Sequence, residues 1–389
     1  TGEARYTHDI RLPGMLHAAV LRSPYACCVV KELNLDAAAK WPGVGAVVSL
    51  AEVGERLLFA GQDVAAVAAA TPEQAREALR AITVAFEEQP FVVTTRDAMQ
   101  PGAPLVHTSE VKARKTEGDE PGTSRKATQN GNIRHTGSDA KKDVAKGLRA
   151  ADVVHEAEYT TQVHTHSALE THSIVVRWDD PNHMTVWSST QGIFSVRGEM
   201  AEVFGLKPAN VHVITEYLGG GFGAKFGASA AGSRLGFIAG ALARKAEAPV
   251  SLLLNRHEEH VCTGNRPDSL QTVKLGAKKS GELTAIHVVA HGSAGIGTGA
   301  GVGRNALGIY TRCPNIKVES ADVYTHAGPG TAFRAPGHPQ GAFALELALD
   351  ELGAKIGRDP LDIRIDHNVH PVRRHQFELG RKQFAWDEK

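Results

Sequence analysis

A run of glycines between a predicted strand and a predicted helix is the feature that most restricts how this chain folds. NVHVITEYL is typical of a strand, GGGFGAK follows it at residues 219–225, and an alanine-rich helical segment comes next. Such a strand, glycine turn and helix point backbone N–H groups at an anion. Since glycine has no Cβ, a flat or anionic ligand can approach the main chain, and Lys225 can add a positive charge. The string predicts a ligand cradle made largely of backbone.

The glycine string has three competing interpretations: a P-loop, a dinucleotide-binding turn, and a turn that binds no ligand. A P-loop places Ser or Thr after its lysine, whereas Phe226 follows Lys225 here, which argues against nucleotide hydrolysis. Gly219, Gly221 and Ala224 satisfy the G-x-G-x-x-A pattern of dinucleotide-binding folds, but no acidic residue ends a second strand about twenty residues later. A glycine turn that binds nothing is the third interpretation. The string alone does not decide among them.

Length and charge limit the kinds of protein this can be. The chain has 389 residues, more than one core usually supports, so two or three domains are expected. Basic and acidic residues number 43 each, which gives no overall field to attract nucleic acid or an anionic membrane. No apolar run is long enough to span a bilayer. The four cysteines show no CxxC spacing, so no iron–sulfur cluster or zinc finger is expected within the chain.

The distribution of apolar and polar segments divides the chain into three parts. Residues 1–100 alternate short apolar runs with Pro and Gly and predict a small α+β domain, with a helix over residues 72–82 capped by Thr71. Residues 101–150 turn polar and are predicted to be a surface connection. Residues 151–389 return to strand and helix patterns and predict a second α+β unit. Its helices are expected over residues 196–204, 228–246 and 342–356.

Histidines crowded between residues 155 and 172 raise the question of a metal site. On a strand, His164 and His166 would share one face, with His155 and His172 not far away in sequence. A zinc site needs an ordered set of further ligands, which this segment does not offer. Packed or hydrogen-bonded histidines are therefore the favoured interpretation.

Several separated segments, taken together, resemble one family. TGEARYTHDI and LHAAVLRSPYA near the start, SSTQ at residues 188–191, the glycine string, and TAFRAPGHPQGAFALELALDELG occur in the order and spacing of the molybdenum-binding subunit of xanthine dehydrogenases and aldehyde oxidases. The likeness spans essentially the whole chain, which corresponds to the N-terminal half of such a subunit. It implies an α+β fold in which a small hammerhead-like domain precedes the first half of a molybdopterin-binding domain.

The resemblance also implies roles for individual residues. Gln191 matches the glutamine whose side-chain amide donates to an oxygen ligand of molybdenum, and Arg334 matches a loop arginine that is also predicted to take part in catalysis. In this family the metal is held by pterin sulfurs, so no side chain of the chain is expected to ligate it. The residues predicted to bind the cofactor are Gly220, Gly221, Phe222, Gly223, Phe333, Arg334 and Ala335.

Positions around the expected substrate pocket depart from the purine-oxidising members of the family. Those enzymes carry a glutamate after the lysine of the glycine string, where this chain has Phe226, and an aromatic residue where it has Pro336. Arg304 is placed in the same pocket by an alignment that needs a two-residue gap. The departures favour aromatic or bulky aldehydes, oxidised to carboxylic acids with oxygen from water. Hydroxylation of N-heterocycles and a non-catalytic cofactor-binding half are the alternatives.

The resemblance assigns the other parts of the reaction to other polypeptides. The general base is a glutamate beyond the end of this chain, so the C-terminal half of the molybdenum subunit is an expected partner. Iron–sulfur clusters and FAD are expected on partner subunits, and the pterin is expected as its cytosine dinucleotide. The chain begins at Thr1 with no signal peptide, and its ends are interpreted as cuts. A cytoplasmic location, or export to the periplasm with a partner, is expected.

Overall fold

The computed structural model describes residues 2–109, 128–303 and 306–388, and these form the mixed α+β fold expected from the sequence. The strands are Leu16–Arg22 (β1), Cys28–Asn34 (β2), Val44–Ser49 (β3), Arg56–Leu57 (β4), Asp63–Ala69 (β5), Thr83–Glu88 (β6), Thr128–Asn130 (β7), Ile133–Lys141 (β8), Val153–Thr161 (β9), Ser173–Asp180 (β10), His183–Ser188 (β11), Val211–Ile214 (β12), Val250–Leu253 (β13), Ser269–Ala277 (β14), Leu283–Gly295 (β15) and Ile316–Tyr324 (β16). The α-helices are Asp36–Ala39 (α1), Pro72–Arg80 (α2), Thr95–Ala98 (α3), Val144–Arg149 (α4), Ile193–Phe204 (α5), Leu235–Ala246 (α6), Arg256–Cys262 (α7), Ala306–Ile309 (α8), His338–Ile356 (α9), Pro360–His367 (α10) and Pro371–Gln383 (α11).

A seven-stranded sheet has the order β12-β11-β10-β13-β1-β5-β3. Strand β1 pairs in parallel with β13, so strands from the first hundred residues and strands from the later part of the chain share this sheet. Every residue of β5 is buried, because α6 covers one face of the sheet there and α1 and α2 cover the other. A strand that is buried on both faces has a nearly continuous apolar sequence, as β5 does after its first residue, Asp63.

A six-stranded sheet has the order β7-β8-β16-β15-β14-β9, and α9 packs against it. Leu345, Leu349 and Leu352 of α9 are buried in this second core. The glycine string follows β12 of the first sheet, whereas the FRAPG segment precedes α9 on the second. A site built from both segments therefore lies where the two sheets meet. A third, small sheet has the order β4-β2-β6.

The four helices predicted from the sequence are all present, and each ends within two residues of its predicted position. The Thr71 hydroxyl accepts a hydrogen bond from the backbone of Gln74 at 3.2 Å and caps α2, as expected. Helix α6, expected from residue 228, begins instead at Leu235. The reason is Asp63, whose carboxylate accepts from the backbone nitrogen of Arg234 at 3.0 Å and from the Ser233 hydroxyl at 2.8 Å. Among the described helices, none is long and apolar enough to cross a bilayer.

The polar segment 101–150 contains more regular structure than the sequence predicts. Residues 133–149 form β8 and α4, and β8 pairs antiparallel with β16 of the six-stranded sheet. Polar composition misled the prediction because no residue of β8 is fully buried. Gly131, with φ of +59°, and Asn132 form the two-residue turn that joins β7 to β8. The rest of the predicted connection includes residues 110–127, which lie outside the described residues.

Candidate functional site

The glycine string forms a compact turn with unusual backbone angles. Gly220 and Gly223 have φ of +96° and +109°, and Phe222 between them has φ of +53°, in the left-handed region. A Cβ on Gly223 would lie 2.5 Å from the carbonyl oxygen of Ala332, so only glycine fits there without displacing backbone. The turn is thus specified by sterics as well as by conformation.

Gln191 is tied to this turn at three points. Its Oε1 accepts hydrogen bonds from the backbone nitrogens of Gly223 at 2.8 Å and Lys225 at 3.4 Å, and its own backbone nitrogen donates to the Lys225 carbonyl at 2.6 Å. Among the described residues, Nε2 of Gln191 donates to no acceptor. The turn therefore fixes the amide oxygen and leaves the amide nitrogen available to a ligand.

The loop at residues 331–337 is bound to the same turn through its main chain. The backbone nitrogen of Arg334 donates to the carbonyl of Phe222 at 2.8 Å. Ala335 has φ of +58° and Gly337 has φ of +75°, and α9 begins immediately after. The structure brings together Gln191, the glycine turn and the FRAPG loop, three segments that the sequence separates by up to roughly 140 residues.

Phe333 is held between two side chains instead of lying open on the loop. The His166 ring stacks on it at 4.4 Å between centroids, and the Arg266 guanidinium lies 4.4 Å from its centroid. Arg266 also donates to the Arg334 carbonyl at 2.8 Å, and His166 Nε2 lies 2.7 Å from the Ala332 carbonyl oxygen. Burial lowers the pKa of His166. Both side chains therefore fix the backbone on either side of Phe333.

Lys225 does not add its charge to the surface of the cradle, contrary to the prediction. Its side chain is fully buried, and Nζ donates to the Glu170 carbonyl oxygen at 2.7 Å and lies 3.8 Å from the Glu170 carboxylate. Burial lowers the pKa of Lys225, and the charges of Glu170 and Glu259 oppose that shift. The same Glu170 carboxylate accepts from the Gly219 nitrogen at 2.8 Å. Lys225 therefore supports the turn from inside.

His172 connects the glycine string to a buried carboxylate. Its Nε2 lies 3.1 Å from the carbonyl oxygen of Ala224, and its Nδ1 lies 2.9 Å from the nearer carboxylate oxygen of Glu259. The backbone nitrogen of His172 donates to the same carboxylate at 2.8 Å. Burial acts to raise the pKa of Glu259, but the hydrogen bonds and charge of His172 outweigh it, and the pKa is lowered. His155, His166 and His172 are buried and hydrogen-bonded, as the sequence predicts, whereas the prediction is wrong for His164, which is exposed.

Other predicted site residues lie at the surface beside these loops. The side chains of Phe222 and Phe226 are 43% and 37% exposed, and Arg334 and Pro336 are also exposed. Apolar side chains of this size that face solvent within a site are candidates for contact with a ligand. Arg304 lies outside the described residues, so its predicted place in the pocket stays a prediction.

Three successive backbone donors of the turn have no acceptor within the described part of the chain. They are the N–H groups of Gly220, Gly221 and Phe222. By contrast, the nitrogens of Gly219, Gly223 and Ala224 are all bonded internally. Gly221 is buried, where a backbone donor is almost always satisfied, while Gly220 and Phe222 reach the surface. The row is therefore open to a ligand with several acceptor atoms.

Two segments of this chain match known protein families. Residues 126–368 match the family described as the molybdopterin cofactor-binding domain. Residues 1–57 match the family described as the a/b hammerhead domain of aldehyde oxidase and xanthine dehydrogenase. The chain belongs to the molybdopterin-binding subunits of the xanthine dehydrogenase and aldehyde oxidase family. The fold class expected from the sequence, a small hammerhead domain followed by a molybdopterin-binding domain, is confirmed.

Relatives within this family carry different names. A probable xanthine dehydrogenase subunit of Bacillus subtilis (strain 168) is 31% identical over 94% of this chain and 48% of its own length. The aldehyde oxidoreductase molybdenum-binding subunit PaoC of Escherichia coli (strain K12) is 30% identical over 100% of this chain and 53% of its own. The chain thus spans about half the length of these two relatives. A nicotinate dehydrogenase large molybdopterin subunit of Eubacterium barkeri is 29% identical and is covered over 86% of its length.

Solved structures share the fold over the whole chain. Quinoline 2-oxidoreductase from Pseudomonas putida 86 superposes with a TM-score of 0.85 at 21% identity, over 100% of this chain and 52% of that one. The aldehyde oxidoreductase from Desulfovibrio gigas superposes with a TM-score of 0.79 at 22% identity, over 98% of this chain and 44% of that one. At such identities the likeness concerns the fold.

The residues present fit a molybdopterin cofactor. The unsatisfied N–H groups of the turn, the Nε2 of Gln191 and the exposed guanidinium of Arg334 are donors, which is what an oxygen-rich, phosphate-bearing group requires. Phe222 offers an apolar ring at the same place. Sequence reasoning missed Arg266 and Glu259, because each acts on a loop far away in the chain and neither stands in a recognisable motif.

Proposed function

We propose that Gln191, the glycine turn and the FRAPG loop together hold one side of the molybdenum cofactor. The row of three unsatisfied N–H groups from Gly220 to Phe222 is the observation that carries this proposal. These groups and the Arg334 guanidinium would bind acceptor atoms of the cofactor, and the Gln191 amide nitrogen would donate a hydrogen bond toward an oxygen ligand of the metal. When bound, the cofactor supplies the two-electron redox chemistry of the reaction.

The chain's own residues would orient the cofactor through contacts that are already formed in the structure. The amide oxygen of Gln191 is already occupied by two backbone nitrogens, so its donor cannot rotate away. Phe333, clamped by His166 and Arg266, keeps the FRAPG loop against the turn. Donors held in place before the reaction stabilise developing charge without a reorganisation cost.

We propose aromatic or bulky aldehydes as substrates, oxidised to carboxylic acids with oxygen from water. The supporting observation is the exposed ring of Phe226, directly after the glycine string. An aromatic side chain packs against an apolar substrate, whereas it offers no carboxylate to hydrogen-bond a ring nitrogen. The exposed ring of Phe222 extends the same apolar character.

Other polypeptides complete the enzyme in this proposal. The chain spans about half of two of its relatives, and we propose that the general base lies in the part that corresponds to the other half of those relatives. Iron–sulfur clusters and FAD are proposed for partner subunits, and cytosine dinucleotide for the form of the pterin.

A hydroxylase of N-heterocycles is the second candidate. The similarity to a nicotinate dehydrogenase subunit over 86% of its length favours it. Such an enzyme would need a group other than residue 226 to bind the heterocycle, since Phe226 cannot accept or donate a hydrogen bond there.

The decisive experiment uses the enzyme that contains this chain, purified with its partners. Molybdenum per chain is measured by elemental analysis, and dye reduction is compared among aromatic aldehydes, xanthine and nicotinate. Faster turnover of aldehydes, with label from H₂¹⁸O in the acid product, is expected. Preference for nicotinate or xanthine would overturn the substrate assignment. Full molybdenum loading without turnover of any of them would favour a non-catalytic cofactor-binding half, and absence of molybdenum would overturn the proposal itself.

A further inference from the structure

We propose that His172, locked by Glu259, is a positioning residue for the cofactor-binding glycine turn. The inference rests on the proposed role of that turn in holding the cofactor. His172 lies outside the turn, immediately before β10, and contacts it through one atom, the carbonyl oxygen of Ala224, at 3.1 Å from Nε2. No other described side chain reaches this carbonyl.

The direction of the hydrogen bond follows from the partners on both sides of the ring. A carbonyl oxygen only accepts, so Nε2 of His172 carries a hydrogen and donates it to Ala224. An ionised carboxylate also only accepts, so Nδ1 donates to Glu259, whose oxygens lie at 2.9 and 3.0 Å. The ring is therefore held at both nitrogens and cannot flip or rotate about its Cβ–Cγ bond without losing both contacts.

Burial makes this arrangement costly to break. The side chains of His172 and Glu259 are 5% and 1% exposed, so water cannot replace a lost partner. A buried carboxylate without its partner is destabilising. Lys225 and Glu170, the charged groups next to the pair, are occupied with each other, since Nζ of Lys225 is 3.8 Å from the Glu170 carboxylate. Neither Lys225 nor Glu170 is therefore available to replace a lost member of the His172–Glu259 pair.

The carboxylate of Glu259 stands on a helix that is fixed from its other side. Helix α7 begins at the Asn255 cap, whose side chain accepts from the Glu258 nitrogen at 3.0 Å. Glu258 forms an ion pair with Arg22 of β1 at 3.2 Å. Helix α7 is thus anchored to the N-terminal part of the chain. Glu259 of this helix holds His172, and His172 in turn holds the glycine turn.

The position of Ala224 matters because the next residue carries the contacts to Gln191. The carbonyl of Lys225 accepts from the backbone of Gln191 at 2.6 Å and from the Thr190 hydroxyl at 3.0 Å. Two successive carbonyl groups are thus held by different segments of the chain. His172 binds the carbonyl of Ala224, and the segment that carries Gln191 binds the carbonyl of Lys225. Release of Ala224 would loosen the amide that the proposed function places toward the metal.

The test compares three variants of the enzyme that contains this chain. His172→Phe removes both hydrogen bonds at similar volume. Glu259→Gln keeps them, since Gln can accept from the His172 backbone and donate to Nδ1 while the neutral ring still donates to Ala224. His155→Phe is the control, because His155 is equally buried and lies 2.9 Å from Glu351, yet it has no contact with the turn.

Hydrogen–deuterium exchange at residues 223–225, whose backbone nitrogens are hydrogen-bonded within the turn, is the principal readout, with molybdenum per chain as the second. In His172→Phe we expect about tenfold faster exchange there, the effect of losing one hydrogen bond, and a lower molybdenum content. We expect exchange like that of the wild type in Glu259→Gln and in His155→Phe. Unchanged exchange in His172→Phe, or an equal rise in His155→Phe, would overturn the proposal.

A second comparison keeps the test decisive if His172→Phe does not fold. Glu259→Ala and Glu259→Gln then replace it: faster exchange in the alanine variant alone supports the tether, and equal exchange in both overturns it. A wild-type enzyme without molybdenum would contradict the proposed function, while the exchange data would still decide whether His172 holds the turn.

Discussion

The side-chain oxygen of Gln191 lies 2.8 Å from the backbone nitrogen of Gly223, and this contact decides which end of the amide faces a ligand. Because Oε1 is occupied by the turn, Nε2 is the atom left to donate. One side chain therefore has two separable duties: its oxygen organises the turn, and in the proposed function its nitrogen donates to the cofactor.

Gln191→Glu should separate these duties. A carboxylate still accepts from Gly223 and Lys225, so molybdenum content should stay near the wild-type value. The donor is lost, and turnover should fall by about 100-fold, the usual effect of removing one preorganised donor. Gln191→Ala should lower molybdenum content as well, since it also releases the turn. Elemental analysis and steady-state rates measure both, with exposed Gln100→Glu as control; equal loss of metal and turnover in Gln191→Glu would refute the assignment.

Gly223→Ala should destabilise the protein more than another substitution at positive φ. A Cβ at Gly223 would meet the Ala332 carbonyl oxygen at 2.5 Å, whereas one at Gly205, with φ of +68°, would meet nothing within 4 Å. Gly205→Ala should cost about 1 kcal/mol of unfolding free energy through backbone strain alone. Gly223→Ala should cost roughly 1–3 kcal/mol more, because of the clash. Denaturant unfolding measures both; similar losses would contradict the packing described here.

The parts of the site that the sequence could predict are those carried by contiguous motifs. Gln191 in SSTQ, the glycine string and FRAPG each stand in a short segment, and their order along the chain matches the family. Thr71 predicted the start of α2 for the same reason, since a helix cap acts within one turn. Local signals of this kind are readable without a structure.

The parts that could not be predicted depend on contacts between distant residues. Lys225 follows the glycines as a P-loop lysine would, yet its ammonium group is drawn inward by Glu170, which lies 55 residues earlier. The supports from Glu259 to His172 and from Arg266 to Arg334 span 87 and 68 residues. No periodicity or local motif encodes such pairs, because they form only when segments distant in the chain pack together.

His326 should make the stability of the fold depend on pH. Burial, with the nearby charge of Arg56, lowers the pKa of His326 from 6.5 to about 4, and its Nδ1 accepts from the Val92 backbone. The unfolded chain takes up a proton near pH 6.5 while the folded chain does not, so unfolding free energy should fall between pH 6.5 and 4, by at most about 3 kcal/mol.

The contribution of this group is isolated by substitution. In His326→Asn, whose amide oxygen can still accept from Val92, the loss of unfolding free energy over that pH range should be smaller than in the wild type. The exposed His212→Asn should keep the full dependence. Denaturant unfolding at a series of pH values gives the comparison, and parallel curves for His326→Asn and wild type would show that this histidine does not titrate as described.

Phe226→Glu should move substrate preference from aldehydes toward N-heterocycles. The ring of Phe226 is 37% exposed beside the glycine turn, so a carboxylate there would be hydrated at little cost to stability and could hydrogen-bond a ring nitrogen. A site that offers such a partner discriminates strongly in favour of substrates that use it. Rates with aromatic aldehydes, xanthine and nicotinate are compared with those of Phe91→Glu, a similarly exposed phenylalanine at 43% that lies on neither loop. Unchanged relative rates in Phe226→Glu would place the substrate elsewhere.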